Sequence, residues 1–100
     1  MTGLPDDQIS AALEDLPGWS LSGASIRKEF TFPGFRAAIA FIDRLAEVAI
    51  ASRHHPDLEN HYNRVVVSLT SYDAGGVTRA DLSLARGIEA VAEPPGSAGV

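Results

Sequence analysis

Two adjacent histidines, His54 and His55, stand directly before Pro56 and directly after a long amphipathic run that ends near Arg53. Histidine alone has an ordinary pKa that lets it both give and take a proton near neutrality, so the pair is the first candidate for acid–base work. Tyr62-Asn63 and the alternating run Val65-Val66-Val67-Ser68-Leu69-Thr70 follow shortly after. The pair therefore falls at a helix-to-strand junction, where scaffolds present chemistry.

Other uses of these residues are less well supported. A metal site would need His61, Asp57 or Glu59 beside the pair. Neighbouring residues on an extended chain point to opposite faces, and no His-x3-His pair sits at helical spacing, so the pattern matches no zinc motif. There is no cysteine, and no serine lies in a Gly-x-Ser-x-Gly setting. Gly75-Gly76 lacks the spaced glycines and the lysine of a phosphate loop. What remains is proton transfer on a bound small molecule, set against the plainer reading of histidines that are merely exposed or satisfied by the backbone. His61 reads as an exposed loop residue, Asp81 as a helix cap and Trp19 as core.

The elements that must position the pair can be read in order. Pro5 with Asp6 and Asp7 opens a helix over about 6–15, with Ile9, Ala12, Leu13 and Leu16 on its apolar side and Pro17-Gly18 ending it. Trp19-Ser20-Leu21 and the run from Ile26 to Phe32 form a hairpin around Ser22-Gly23-Ala24-Ser25. Pro33-Gly34 then breaks the strand. A long helix over about 35–53 carries Phe35, Ala38, Ile39, Ile42, Leu45, Ala46 and Ala49 on one side. Phe41 and Val48 widen that arc, which predicts contact with a sheet and with a second subunit. Ile50 is anomalous, because it continues the row Arg36, Ala40, Asp43, Glu47 that should face water.

After the junction, Asp57 to His61 is polar and without clear period, and only a short strand within 55–60 is hinted at. A strand over about 63–71 puts Val65, Val67 and Leu69 on one face, with Val66, Ser68 and Thr70 on the other. Tyr72 to Val77 is a loop. Thr78 and Asp81 form a Thr-x-x-Asp capping pair for a last helix that buries Leu84, Ala85, Ile88, Val91 and Ala92. Aspartate is shorter than the usual glutamate, which leaves its return bond open. Residues 93–100, with Pro94-Pro95-Gly96, read as a flexible tail.

Composition narrows the function classes. The chain has 100 residues, 45% of them hydrophobic, which suits one domain with one core. Its 13 acidic and 8 basic residues give a formal charge of -5, which opposes direct binding to nucleic acid or an anionic membrane. The absence of cysteine, of a signal-like amino terminus and of any long apolar run predicts a cytoplasmic protein.

The order of motifs resembles one family. Gly18-Trp19, Phe30-x-Phe32, a helix ending in His54-His55-Pro56, Tyr62-Asn63-x-Val65, Leu69-Thr70, Gly75-Gly76-Val77-Thr78 and Asp81-x-x-Leu84-Ala85 are similar to the pterin-4a-carbinolamine dehydratases, also called 4a-hydroxytetrahydrobiopterin dehydratases. The likeness spans roughly residues 5–92. It implies a single α+β domain, helix-hairpin-helix-strands-helix, whose antiparallel four-stranded sheet carries three helices on one face. It also implies a homodimer or homotetramer and a reaction needing neither metal nor organic cofactor. That reaction removes water from a 4a-hydroxytetrahydropterin, giving the quinonoid dihydropterin during tetrahydrobiopterin recycling. By the same resemblance His54, His55 and Tyr72 occupy the catalytic positions. Pro56, Thr70, Ser71, Asp73 and Asp81 occupy substrate-binding ones, with backbone groups from Thr70 to Asp73 forming a wall.

Two positions depart from the pattern. The family commonly has glutamate where this chain has Ile50, and a third histidine, sometimes tryptophan, where it has Tyr72. A phenol titrating near ~10 shuttles protons poorly at neutrality. The resemblance therefore allows a dehydratase in which Tyr72 is a hydrogen-bond donor, or a weakened fold kept as a protein-binding or assembly module. The pocket discriminates: a cavity framed by His54, His55 and Tyr72 supports the enzyme, whereas Ile50 or Tyr72 filling it supports the module.

Overall fold

The computed structural model describes residues 3–92, so the tail expected over 93–100 lies outside the described residues. Helix α1 is Asp6–Leu13, with Pro5 at its amino end and Asp6 and Asp7 in its first turn. It ends earlier than its apolar spacing predicts. Glu14 and Asp15 bring carboxylates to the negative end of the dipole, and their amides make tighter bonds to Ala11 and Ala12 instead.

Strands β1 (Ser20–Ser22) and β2 (Ser25–Thr31) form the expected hairpin, and Gly23 at φ 59° supplies the left-handed residue of its turn. Helix α2 is Phe35–Ser52. Strand β3 (Asp57–His61) and strand β4 (Arg64–Leu69) complete an antiparallel sheet in the order β1-β2-β4-β3. A turn of 3-10 helix at Tyr72–Ala74 and helix α3 (Arg79–Ala92) follow.

All three helices contribute to one core on one face of this sheet. Ile9 of α1, Ala38, Phe41, Leu45 and Ala49 of α2, and Leu84, Ala85 and Ile88 of α3 pack with Ile26, Phe30, Val65, Val67 and Leu69 of the strands. Phe41 is the centre of an aromatic group, 4.8 Å from the Phe30 ring and 5.0 Å from the Phe32 ring. Val48 meets α3 at Gly87, where a Cβ would lie 2.8 Å from the valine Cγ1. Close approach of the two helices is therefore what that glycine permits. Phe41 and Val48 are thus both used inside the chain, which removes them as an argument for a subunit interface. The large apolar side chains that α2 leaves in water are Phe35, 51% exposed, and Ile50, 63% exposed.

The strands correct the sequence reading in two places. β3 does form, slightly later than hinted, and it carries His61 as its last residue rather than in a loop. Every residue of β3 is exposed, because it is an edge strand whose far side has no neighbour among the described residues. Val66 lies, as expected, on the face opposite Val65, Val67 and Leu69 and outside the helix-side core, yet it is buried between its register partners Glu29 and Glu59. Position in the middle of a sheet, more than the face, protects it. No helix of the described residues is long and apolar enough to cross a membrane.

Candidate active site

His54 is set by how α2 ends. The Arg53 amide bonds the Ile50 carbonyl at 3.1 Å and the His54 amide bonds the Ala49 carbonyl at 3.2 Å, the paired closure of a Schellman motif. That closure needs a left-handed residue, and Arg53 takes the conformation at φ 54°, ψ 37° without being glycine. Pro56 prevents the helix from resuming and starts the chain toward β3. Backbone geometry alone therefore brings the first histidine back over the end of its own helix.

The side chain is then held from α3. His54 Nε2 donates to Asp81 Oδ1, and Asp81 is 0% exposed. The other carboxylate oxygen accepts from the Thr78 amide at 2.8 Å and from the Ser71 hydroxyl at 2.9 Å. The Thr78 amide bond is the return bond of the capping box, so aspartate does reach. A buried carboxylate needs such a set of donors, and no buried side-chain polar atom among the described residues lacks a partner. Because a carboxylate only accepts, the proton of neutral His54 must sit on Nε2, and Nδ1 is left with a free lone pair.

The residues singled out from the sequence fall into two groups. His54, His55, Pro56, Thr70, Ser71, Tyr72 and Asp73 line one open cleft of about 420 Å³, within the range of small-molecule sites. Asp81 does not line it and lies beneath, reached through His54 and Ser71. His55 is exposed and makes no side-chain hydrogen bond among the described residues. The Thr70 hydroxyl donates to the Ala24 carbonyl at 2.6 Å and that of Ser71 to Asp81 at 2.9 Å, so both hydroxyl protons are already committed. Ile50 is not among the cleft's lining residues.

One lining residue, Asp57, was read from the sequence only as a potential metal ligand. Its Oδ2 accepts a 2.8 Å hydrogen bond from the Tyr72 hydroxyl, which joins the start of β3 to the 3-10 turn. Accepting that bond and carrying the nearby charge, Asp57 raises the Tyr72 phenol above its ordinary pKa, with slight desolvation in the same direction. Tyr72 is 77% exposed, so it stands at the rim and does not fill the cleft. Among the described residues no three His, Asp or Glu side chains gather as they would around a metal ion. Three other depressions among the described residues, of about 330 to 370 Å³, are lined by no histidine.

With fold and cleft defined, the likeness to known proteins is specific. The model of the family described as Pterin 4 alpha carbinolamine dehydratase matches residues 2–91. A relative from Thermomicrobium roseum that bears the family's name is 44% identical over 86 residues, covering 86% of this chain and 92% of its own length. One from Nocardia farcinica is 44% identical over 89 residues, covering 89% of this chain and 94% of its own length. Among solved structures, a transcriptional coactivator/pterin dehydratase from Brucella melitensis aligns at TM-score 0.88 and 34% identity, over 92% of this chain and all of its own (100%). A pterin dehydratase-like RuBisCO assembly factor of the alpha-carboxysome aligns at TM-score 0.62 and 21% identity, over 74% of this chain and 86% of its own, a likeness of fold.

Proposed function

This chain belongs to the pterin 4 alpha carbinolamine dehydratase family, and from that premise we propose that it dehydrates a 4a-hydroxytetrahydropterin to the quinonoid dihydropterin. The observation that carries the reading is His54, its Nε2 proton committed to a buried carboxylate, beside His55 in a cleft that neither Ile50 nor Tyr72 fills.

Loss of water from the carbinolamine needs a base for the proton on the ring nitrogen beside the carbinol carbon. It also needs an acid for the departing hydroxyl. His54 Nδ1 is the base: as it takes the N–H proton, that electron pair forms the C=N bond and the C–O bond breaks. The positive imidazolium so formed is stabilised by the Asp81 carboxylate behind it. The hydroxyl leaves as water, with its proton from His55 or from solvent, so protons balance over the cycle. Tyr72, whose hydroxyl proton is engaged by Asp57, serves as a fixed donor and not as a shuttle. Backbone groups of Thr70 to Asp73 and the ring of Pro56 flank the bound pterin.

In this role the protein serves tetrahydrobiopterin recycling in the cytoplasm. The exposed Phe35 and Ile50 on α2 and the uncovered β3 edge suit a homo-oligomer. Ile50 is also what favours the second reading, a protein-binding module, since it is a large apolar side chain in water near the site. The open cleft weighs on the side of the enzyme.

Stopped-flow dehydration of a 4a-hydroxytetrahydropterin tests the choice. Acceleration over the spontaneous reaction, lost by about 10²-fold or more in His54→Ala, is expected. A folded wild-type chain that gives no acceleration would sink the proposal and turn attention to partners.

A further inference from the structure

Asp57 is the cleft residue to which the roles above give no contact with substrate. It opens β3 immediately after Pro56 and lies across the cleft from the 3-10 turn, where the Tyr72 hydroxyl holds its Oδ2. Water competes for a bond this exposed, so its contribution to folding is small. Its structural consequence is orientation: one oxygen of the carboxylate is pinned, and the other makes no hydrogen bond among the described residues.

An ionised carboxylate accepts and never donates, and its two oxygens match two adjacent N–H groups on one edge of a ligand. A pterin has one such edge, formed by its 2-amino group and the neighbouring ring N–H. A 2-oxo analogue, a lumazine, puts an acceptor in place of the amino group, so that lone pairs would face lone pairs. Asp73 also borders the cleft but makes no side-chain hydrogen bond among the described residues, so nothing fixes its carboxylate in one direction.

Resting on the dehydratase reading, we propose that Asp57, held by Tyr72, determines specificity by accepting hydrogen bonds from the 2-amino edge of the pterin. This gives Tyr72 a role that does not require it to titrate. It also orients the ring, because fixing the 2-amino edge at the β3 side limits how the reacting edge can meet His54.

The test is calorimetric binding of 6-methylpterin and 6-methyllumazine to the wild-type chain and to Asp57→Asn, Tyr72→Phe and Asp73→Asn. Losing charge-assisted bonds predicts a wild-type preference for the pterin of roughly ten- to a hundred-fold. Asp57→Asn brings the ratio to within about threefold, and Tyr72→Phe gives an intermediate ratio because the carboxylate remains but is no longer held. Equal binding of the two rings by wild type, an unchanged ratio in Asp57→Asn, or loss of the ratio in Asp73→Asn alone would overturn the assignment. If these occur while His54-dependent dehydration is measured, only the assignment to Asp57 fails. If wild type binds neither ring and accelerates nothing, the dehydratase reading fails and takes this inference with it.

Discussion

Asp81→Asn separates two jobs that the structure gives to one side chain. The carboxylate caps α3 through Thr78, accepts from Ser71, and fixes the His54 tautomer through Nε2. Asparagine has nearly the same shape but one acceptor oxygen. Its best placement keeps that oxygen on the Thr78 amide and the Ser71 hydroxyl, which turns its NH2 toward His54 Nε2. His54 Nε2 must then accept, so the ring proton moves to Nδ1 and the lone pair we propose as the base is lost. Weakening two retained hydrogen bonds from charged to neutral costs about 1–2 kcal/mol, which lowers the melting temperature by roughly 4–16 °C for a domain of this size. The variant should still be folded at 25 °C, whereas Asp81→Ala would take the acceptor from His54, Thr78 and the buried Ser71 hydroxyl and threaten the fold. The tautomer effect is larger: the same exchange behind a catalytic histidine in serine proteases costs on the order of 10⁴-fold in turnover, and about 10²- to 10⁴-fold is expected here. Dehydration by stopped flow, run beside thermal melts, reads both. Thr78→Ala provides the control, since it removes a hydroxyl that contacts Ser71 Oγ at 2.9 Å and Asp81 Oδ2 at 3.4 Å, at a cost of about 1 kcal/mol, while the Thr78 amide and His54 keep their own bonds to the carboxylate. Activity of folded Asp81→Asn within about threefold of wild type would refute the tautomer argument, as would an equal loss in Thr78→Ala.

Two further outcomes follow from local geometry. In a Tyr62→Phe background, where Tyr72 is the remaining tyrosine, ultraviolet titration should find its phenol above the ordinary ~10, and Asp57→Asn should return it toward that value. A folded-state pKa raised in this way means the bond stabilises the fold below about pH 10 and is lost as pH rises through the raised value; an unshifted phenol would contradict the contact. Arg53→Gly should raise stability by about 1 kcal/mol, or a melting temperature higher by roughly 4–8 °C, because Arg53 holds φ 54° at the end of α2. A lower melting temperature would show that the arginine side chain contributes more than its backbone strain costs.

Much of the architecture was legible because burial leaves periodic traces. The apolar spacing on α2 and α3, the alternation of β4, the Thr78–Asp81 pair and the His-His-Pro stop all encode local choices that a few neighbouring residues settle. β3 was barely visible for the converse reason. Exposed along its whole length, it carries no alternation to read, and it is a strand because β4 offers it a partner. The end of α2 was also visible only as a position, since nothing in the identity of Arg53 announces a left-handed residue.

The site divides along the same line. By itself the sequence determined which groups are available for chemistry: two histidines at a helix end, a tyrosine in place of a third, and an aspartate at a helix start. Only the tertiary structure decided what those groups are bonded to. His54 meets Asp81 from 27 positions away and Asp57 meets Tyr72 from 15, contacts made by the crossing of α2 over α3 and by the start of β3 lying beside the turn that follows β4. Local patterns record which face of an element avoids water. They do not record which atom on another element that face will meet, and on that partner depend the tautomer of His54 and the protonation of Tyr72.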